Sequence, residues 1–255
     1  MIILEAEEGL VALIDVLGTK GIWSRSNPGE VIRNFSFLIN KINLIKSKME
    51  DELYGPFPNI RMNLSTYFFS DTIIILLTSD NLENSIKPFG DLLSLTTATG
   101  FQNGIYMRGS VSLGKFYRDQ ENKNSIIIGP AVDEAADWYN MSELIGVYCS
   151  PSLKFSIDGI RAKNQDADLE IFYKYDMPIK NDKTYQTYIV NWFHGLVTVS
   201  NKDQESIQLS AVKLNECKKQ LLEKFSTNPV GPSEYSKLKN TIEFCENVLN
   251  NLPGT

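Results

Sequence analysis

Histidine, cysteine and basic residues are scarce in this 255-residue sequence, and each scarcity argues against a class of function. The three cysteines, Cys149, Cys217 and Cys245, are too widely spaced for a disulfide framework or a zinc ligand set, and they are typical of a reducing compartment. The single histidine, His194, has no serine or cysteine partner of recognisable motif, so we interpret it as structural. The net charge of −6 leaves no basic surplus for nucleic-acid phosphates, and no nucleic-acid binding is expected.

Long apolar runs and targeting signals are also lacking. No segment approaches the about 18 apolar residues of a membrane helix. The first ten residues, MIILEAEEGL, carry three glutamates where a signal peptide would carry lysine. We therefore expect a soluble, cytoplasmic protein without membrane contact, and a hydrophobic content of 42% is sufficient for a substantial core.

The order of apolar patterns predicts an α+β fold. Strands are expected at 10–18, 65–77, 104–117, 144–150, 169–176 and 184–193, and helices over 30–50, 82–100, the end of 124–140 and twice within 205–252. Through residue 150 the order is strand, helix, strand, strand, helix, strand. This order favours a ferredoxin-like (palm-type) antiparallel sheet with helices on one face, plus a C-terminal helical pair. We assign 1–200 to the main domain and 201–255 to a helical extension packed on it or on a partner copy.

An acid in an unexpected place suggests a metal site. The stretch STYFFSDTIIILL (65–77) sets Asp71 between a run of aromatic residues and five aliphatic ones, where an unpaired buried charge is costly. In the predicted topology Asp15 and Asp71 can stand side by side on adjacent strands. Such a pair suits Mg²⁺ or Mn²⁺, and two such ions would activate an attacking oxygen and stabilise a leaving one. In the alternative interpretation each acid caps a turn in water, with Ser70-Asp71 at a hairpin tip.

A glycine-flanked loop follows Asp15. Gly18, Thr19 and Lys20 precede a predicted helix, where freed backbone amides and a lysine charge can bind an anion. Beside a metal-binding aspartate, this loop is a candidate triphosphate cradle.

Four stretches together resemble the class III nucleotidyl cyclases. They occur in the family's order and spacing over roughly residues 10–150: LVALIDVLGTKGIW (10–23), YFFSDTIIILL (67–77), YMRGSVSLGKFY (106–117) and IIIGPAVDEAADW (126–138). The variant pattern RGSVSLG followed by GPAVDEA looks most like the bacterial pyrimidine cyclases of the Pycsar antiphage systems.

The resemblance implies a cyclase catalytic domain in 1–200 that works as a homodimer, with active sites between the chains. A pyrimidine nucleoside triphosphate, UTP or CTP, would become its 3′,5′-cyclic monophosphate and pyrophosphate. The product would act as a second messenger in antiphage defence through a downstream effector protein.

Matched position by position, the resemblance also implies roles for individual residues. Asp15 and Asp71 take the metal-ligand places for two Mg²⁺ or Mn²⁺ ions, with the Val16 carbonyl as a further ligand. Gly18, Thr19 and Lys20 fall in the phosphate-binding loop. Tyr67 falls where adenylate cyclases carry a lysine that reads the purine, and a tyrosine there favours a smaller base. In the alternative interpretation Tyr67 is an aromatic residue packed in the core.

The sequence departs from the family at two positions. Asp133 and Asp137 stand where purine cyclases carry an asparagine and an arginine, and neither acid can neutralise a triphosphate. Arg108 is the best candidate for the replacement cation, since a guanidinium suits bidentate phosphate contacts. Lys180 is a weaker candidate. In the alternative interpretation Arg108 is an arginine at a strand edge, paired with one of the acids at 133, 134 or 137.

Other functions remain open at this point. A nucleotide-binding module that has lost catalysis would also carry these acids, and a purine cyclase would share most of the motifs. A palm-domain polymerase joining two nucleotides is a further alternative, but the sequence has FSDT (69–72) instead of the Gly-Gly-acid-acid turn of that group.

Overall fold

One eight-stranded sheet organises the chain in the computed structural model, which describes residues 6–17, 27–54, 62–118, 126–164, 167, 169–193, 204–227 and 231–251. In chain order, the elements of this described part are β1 Ala6–Val16, α1 Pro28–Tyr54, β2 Met62–Phe69, β3 Thr72–Ser79, α2 Leu82–Gln102, β4 Met107–Arg118, β5 Ile127–Ile128, α3 Pro130–Met141, β6 Gly146–Cys149, α4 Pro151–Lys163, β7 Phe172–Ile179, β8 Lys183–Val190, α5 Gln204–Thr227 and α6 Pro232–Asn250.

The strand order confirms the predicted α+β fold class. The sheet runs β2-β3-β1-β4-β6-β8-β7, with β5 paired to β4. The β2-β3-β1-β4 half is antiparallel throughout, and its connections through α1, the β2–β3 hairpin and α2 are those of a ferredoxin-like unit. Beyond it, β6 pairs with β4 in parallel, and β8 and β7 continue the sheet antiparallel.

The single strand expected over 65–77 is wrong, because two strands with a tight turn occupy this region. Phe69 pairs with Thr72, so Ser70 and Asp71 form a two-residue loop. Ser70 has a φ of 58°, the left-handed conformation that two-residue hairpin loops require. The interpretation of Ser70-Asp71 as a hairpin tip is confirmed.

Both faces of the sheet carry helices. On one face, the apolar side chains of β1 pack with residues of α1, α2 and α4, among them Leu38, Ile42, Phe89, Leu93, Leu153 and Ile157. On the opposite face lies α3, whose Ala131 and Ala135 are buried against the strands. The hydroxyls of Ser112 and Ser110 donate hydrogen bonds to the carbonyls of these two alanines. Small residues therefore bring α3 close to the sheet, on the side that the other three helices leave uncovered.

The C-terminal helices α5 and α6 pack on the rest of the same chain. A second apolar cluster joins Leu214, Leu221 and Phe244 to aromatic residues such as Phe101 and Trp192, whose rings stack at 3.9 Å. Polar contacts add to it: the Ile145 amide donates to the Thr241 hydroxyl at 2.9 Å, and Lys237 pairs with Glu143 at 3.4 Å. None of the helices that the structure describes is long and apolar enough to cross a bilayer.

Two glycines face each other where β1 and β4 pass the end of β3. Gly9 pairs with Gly114 on one side and with Thr78 on the other. A Cβ atom on Gly9 would clash with the Leu77 carbonyl oxygen. The backbones of β1 and β3 therefore approach here more closely than any other residue permits.

We expect Gly9→Ala to lower the free energy of unfolding by about 2 kcal/mol, because the added methyl group must push β1 away from β3. Urea unfolding followed by circular dichroism measures the change. Gly159→Ala is the matched control: a Cβ atom on Gly159 in α4 has no atom within 4 Å, and helix propensity should raise stability by about 0.5–1 kcal/mol. An unchanged midpoint for Gly9→Ala would contradict the close approach.

Candidate functional site

Asp15 lies near the end of β1 between two strands that fix its surroundings. Its cross-strand neighbours are Thr72 on β3 and Arg108 on β4. The Nε of Arg108 donates to the Oδ2 of Asp15 at 3.1 Å, and the two side chains are only 20% and 17% exposed for Asp15 and Arg108. The antiparallel register thus places a largely buried carboxylate beside a guanidinium.

Asp71 is held at the same end of β1 by the backbone. The Val16 amide donates to the Asp71 carbonyl oxygen at 2.9 Å, which extends the β1–β3 pairing into the turn. The Asp71 charge is close enough to raise the pKa of Asp15. The structure therefore brings together two acids that are far apart in the sequence.

The pKa of Asp15 is raised above its ordinary value of 3.8. Burial is the largest cause, and the Asp71 charge adds to it, while the charge and hydrogen bond of Arg108 act in the opposite direction. Since the net shift is upward, Arg108 does not fully offset the cost of the Asp15 charge.

The donor set fits a divalent cation. Two neighbouring carboxylates with an excess of negative charge are hard oxygen ligands of the kind Mg²⁺ and Mn²⁺ prefer. Within the described ranges, no group of three or more histidine, cysteine or acidic residues could hold a metal ion. Protein side chains would thus supply two ligands, in keeping with the usual Mg²⁺ pattern of one or two carboxylates plus substrate phosphates.

Arg108 is held from two sides. Besides its bond to Asp15, its guanidinium lies 5.6 Å from the ring centre of Tyr139 on α3. The pairing of Arg108 with an acid at 133, 134 or 137 is wrong: its partner is Asp15, and Glu134 accepts a hydrogen bond from the Ser152 amide at 2.9 Å. The sequence did not reveal this pair, because Arg108 and Asp15 are 93 residues apart and only the β1–β4 register brings them together.

Asp133 and Asp137 are exposed on α3. They lie one turn apart on the side away from the buried Ala131 and Ala135. Lys180 is exposed in the turn after β7, and its amide donates to the Met141 carbonyl at 3.0 Å. Three strands separate β7 from β1, so the structure does not group Lys180 with Asp15.

Tyr67 lies on β2, on the face of the sheet that carries Asp15. It pairs with Ile74, which in turn pairs with Leu13, two residues before Asp15. Its ring is partly buried and packs against the apolar cluster that lies between this face and α3. Two residues before it on the same face, the Ser65 hydroxyl accepts from Nη1 of Arg118 on β4 at 2.7 Å, and sequence reasoning did not single out this arginine.

Gly18, Thr19 and Lys20 of the predicted phosphate loop, and His194, lie outside the described residues.

Asp15→Asn should stabilise the protein at neutral pH, because the amide removes a buried charge yet still accepts from Arg108. A raised pKa means that the folded state favours the protonated, neutral form of Asp15. The stabilisation that this form gives the folded state is fully present below the unfolded pKa, near 3.8, and is lost as pH rises through the folded pKa. The advantage of Asp15→Asn should therefore be seen at pH 7 and vanish in acid. Paired urea unfolding curves across pH measure it.

The exposed Asp133 supplies the control for this prediction. Asp133→Asn changes the same charge in solvent and should leave the unfolding midpoint nearly unchanged at every pH. A lower stability of Asp15→Asn than of the parent protein at pH 7 would show that Asp15 is not under electrostatic strain.

Comparison with known proteins returns nucleotidyl cyclase domains among solved structures, and no match elsewhere. No family model matches the chain, and no curated protein matches it. The guanylate cyclase domain of RhGC from Catenaria anguillulae, solved in complex with GTP, is 14% identical with a TM-score of 0.47, and the match covers 73% of this chain and 97% of that one. The adenylyl cyclase CyaB from P. aeruginosa is 12% identical with a TM-score of 0.49, covering 79% and 98%.

A third neighbour is the guanylyl cyclase domain of the RhoGC fusion protein from Blastocladiella emersonii. It is 12% identical with a TM-score of 0.48, and the match covers 73% of this chain and 97% of that one. At these identities and TM-scores the likenesses assign no substrate, metal or residue role to this chain. The structural neighbours are class III nucleotidyl cyclase domains, and the site must be interpreted from its own residues.

Proposed function

We propose that this protein is a nucleotide cyclase that converts UTP or CTP to its 3′,5′-cyclic monophosphate and pyrophosphate. The observation that carries the proposal is the meeting of Asp15 and Asp71 at the end of β1, with Arg108 beside them on the next strand. Two acids and a guanidinium at one end of neighbouring strands are suited to phosphoryl chemistry, which depends mainly on positioning and charge stabilisation.

Asp15 and Asp71, with the Val16 carbonyl, would hold two Mg²⁺ or Mn²⁺ ions. Bound there, the ions would lower the pKa of the ribose hydroxyl and neutralise charge on the triphosphate. The raised pKa of Asp15 supports this role, because a second positive charge beside Asp15 would relieve its burial cost and its repulsion by Asp71.

Arg108 would stabilise charge on the phosphate oxygens. Its Nε is used by Asp15, whereas the two terminal nitrogens of a guanidinium can still make a bidentate contact with phosphate. The Tyr139 ring and Asp15 hold the guanidinium in place before substrate arrives. The loop of Gly18, Thr19 and Lys20 would bind the rest of the triphosphate.

The reaction is an intramolecular displacement. A bond forms between the 3′-oxygen of the ribose and the α-phosphorus, and the bond from that phosphorus to the bridging oxygen of the β-phosphate breaks. Pyrophosphate leaves with the bond's electron pair, and the hydroxyl proton passes to solvent. Tyr67 would contact the base, with room for a pyrimidine.

A homodimer with active sites between the chains forms part of the proposal. Phe69, directly before the Ser70-Asp71 turn, is 80% exposed, which is unusual for a large apolar side chain. A second copy seated against this hairpin would bury Phe69 and close the acid pair from water.

The biological setting rests on the sequence resemblance alone. We propose a cytoplasmic protein whose cyclic nucleotide product acts in antiphage defence through a separate effector protein.

A catalytically inactive nucleotide-binding module is the second candidate. It is favoured by the exposed Asp133 and Asp137, since α3 offers acids where the related enzymes offer an amide and a cation. Calorimetry with UTP and Mn²⁺, run beside a product assay, separates the two: binding without product favours the inactive module.

Asp71→Asn should abolish turnover while leaving the fold intact, because the turn is fixed by backbone contacts that the amide retains. We expect product formation to fall by about 100-fold or more. The assay incubates the protein with each ribonucleoside triphosphate and Mn²⁺ and resolves the products by mass. Asp80→Asn, an exposed acid at the other end of β3, is the control and should retain full output. Undiminished output from Asp71→Asn would remove the basis of the proposed function.

Phe69→Glu should weaken the dimer and lower activity in parallel, because a charge at the hairpin tip would be desolvated on association. Light scattering after size exclusion measures the oligomeric state. Phe155→Glu changes a side chain that is 66% exposed on α4 and should affect neither property. If Phe69→Glu stays dimeric and active, the interface lies elsewhere.

A further inference from the structure

Helix α6 holds the four residues that connect α3 to β6, residues 142–145. The hydroxyl of Thr241 accepts a hydrogen bond from the Ile145 amide at 2.9 Å. The side-chain amide of Asn240 donates to the Glu143 carbonyl at 2.7 Å. Two adjacent residues of α6 therefore bind two backbone groups of this connection, and they do so with side chains that sequence reasoning did not single out.

The Thr241 hydroxyl makes two bonds of opposite sense. It donates to the Lys237 carbonyl, one turn back in α6, at 2.6 Å, and this leaves its oxygen to accept from the Ile145 amide. Thr241 and Ile145 are both fully buried, so the amide would be left without a partner at considerable cost if the hydroxyl were removed. The Lys237 ammonium adds a third contact, with the Glu143 carboxylate at 3.4 Å.

Both ends of the 142–145 connection lie beside Arg108. At one end, Gly146 begins β6 as the partner of Arg108 in the parallel β4–β6 pairing. At the other end, the Ser142 amide donates to the Tyr139 carbonyl at 3.4 Å, and the Tyr139 ring centre lies 5.6 Å from the Arg108 guanidinium. A shift of the connection would therefore move both the backbone next to Arg108 and the ring that packs on it.

Strand β6 is short, so its position depends on what holds its first residue. Its four residues pair with Arg108–Val111 of β4, and β8 pairs with it at Tyr148–Ile189, towards its far end. Gly146 has a φ of 141°, a conformation that favours glycine, where the connection enters the strand. The contacts of α6 with the preceding residues therefore fix where β6 begins.

We propose that helix α6 positions Arg108 for catalysis by fixing the 142–145 connection, with the buried Thr241 hydroxyl as the central contact. The inference rests on the proposed function, in which Arg108 contacts the phosphate oxygens of the substrate. Thr241 is a positioning residue, because it acts through the connection and not on the substrate. The C-terminal helical pair is then a working part of the site and more than a packing extension.

Thr241→Val keeps the shape of the side chain and removes the hydroxyl. It should lower kcat, for whichever triphosphate the parent protein turns over, by about 10-fold, because a small displacement of a charge-stabilising group is costly in the transition state. Thr241→Ser restores both hydrogen bonds and should recover the parental kcat. In an Arg108→Lys background, Thr241→Val should have no further effect, because both changes act on the same guanidinium.

Thr187 provides a matched control for the loss of a buried hydroxyl. It is 1% exposed, and its hydroxyl donates to the Cys149 carbonyl at 2.6 Å. Cys149 lies at the other end of β6, where it pairs with Val111. Thr187→Val should lower the thermal unfolding midpoint about as much as Thr241→Val does, and leave kcat at the parental value.

The Arg108 side chain can also be observed without turnover. Its Nε–H group, which donates to Asp15, gives a side-chain ¹⁵N resonance that Arg108→Lys removes and thereby assigns. Thr241→Val should move this resonance towards the position of a solvent-exposed arginine. Thr187→Val should leave it where it is in the parent protein.

A parental kcat in Thr241→Val would overturn the inference, as would an equal loss in Thr187→Val or a further loss in the Arg108→Lys background. If Thr241→Val does not fold, Asn240→Ala takes its place, and the loss of this half-buried contact should lower kcat by about 3-fold. If the parent protein turns over no triphosphate, the proposed function fails, and the Arg108 resonance tests the inference by itself. An unmoved resonance in Thr241→Val, or in Asn240→Ala where that variant replaces it, would then reject it.

Discussion

The pairing register of β1 with β3 is the constraint on which the candidate site depends. It places Asp15 opposite Thr72 and carries the ladder on to the bond between the Val16 amide and the Asp71 carbonyl. A slip of one residue would turn the Asp15 side chain to the other face, among the aliphatic residues covered by α1 and α2. The register is secured by that core, since Leu10, Ala12 and Ile14 must all face inward together.

The two faces of the sheet have different tasks. The face beneath α1, α2 and α4 is apolar and carries the stability of the fold, whereas the face beneath α3 mixes a small apolar cluster with two ion pairs, Asp15–Arg108 and Glu7–Arg118. Buried ion pairs contribute little net stability, because desolvation offsets their attraction. Their presence on one face is therefore better explained by what they hold: Asp15–Arg108 fixes the acid end of β1, and Glu7–Arg118 joins β4 to β1 and, through Ser65, to β2.

Much of the fold follows from local patterns in the chain. Helical spacing in 30–50 identified Leu38 and Ile42 of α1, which become fully buried, and the Gly-Pro at 129–130 marked the start of α3. The prediction missed α4, although Pro151 and the spacing of Leu153, Ile157 and Ile160 carry a helical signal. It also read the β2–β3 hairpin as one strand, because a turn formed by Ser70 and Asp71 lacks the glycine that usually marks a left-handed residue.

The sequence by itself determined the α+β class, the positions of β1, of the first two helices and of β4, and the pair of acids to examine, because periodicity and turn chemistry are local properties. Only the tertiary structure decided which charges meet. Arg108 bonds Asp15 instead of an acid on α3, and Arg118 bonds Glu7 on β1 and Ser65 on β2. Such partners are set by strand order and by the curl of the sheet, which arise from the packing of the whole chain and leave no trace in the spacing of any one segment.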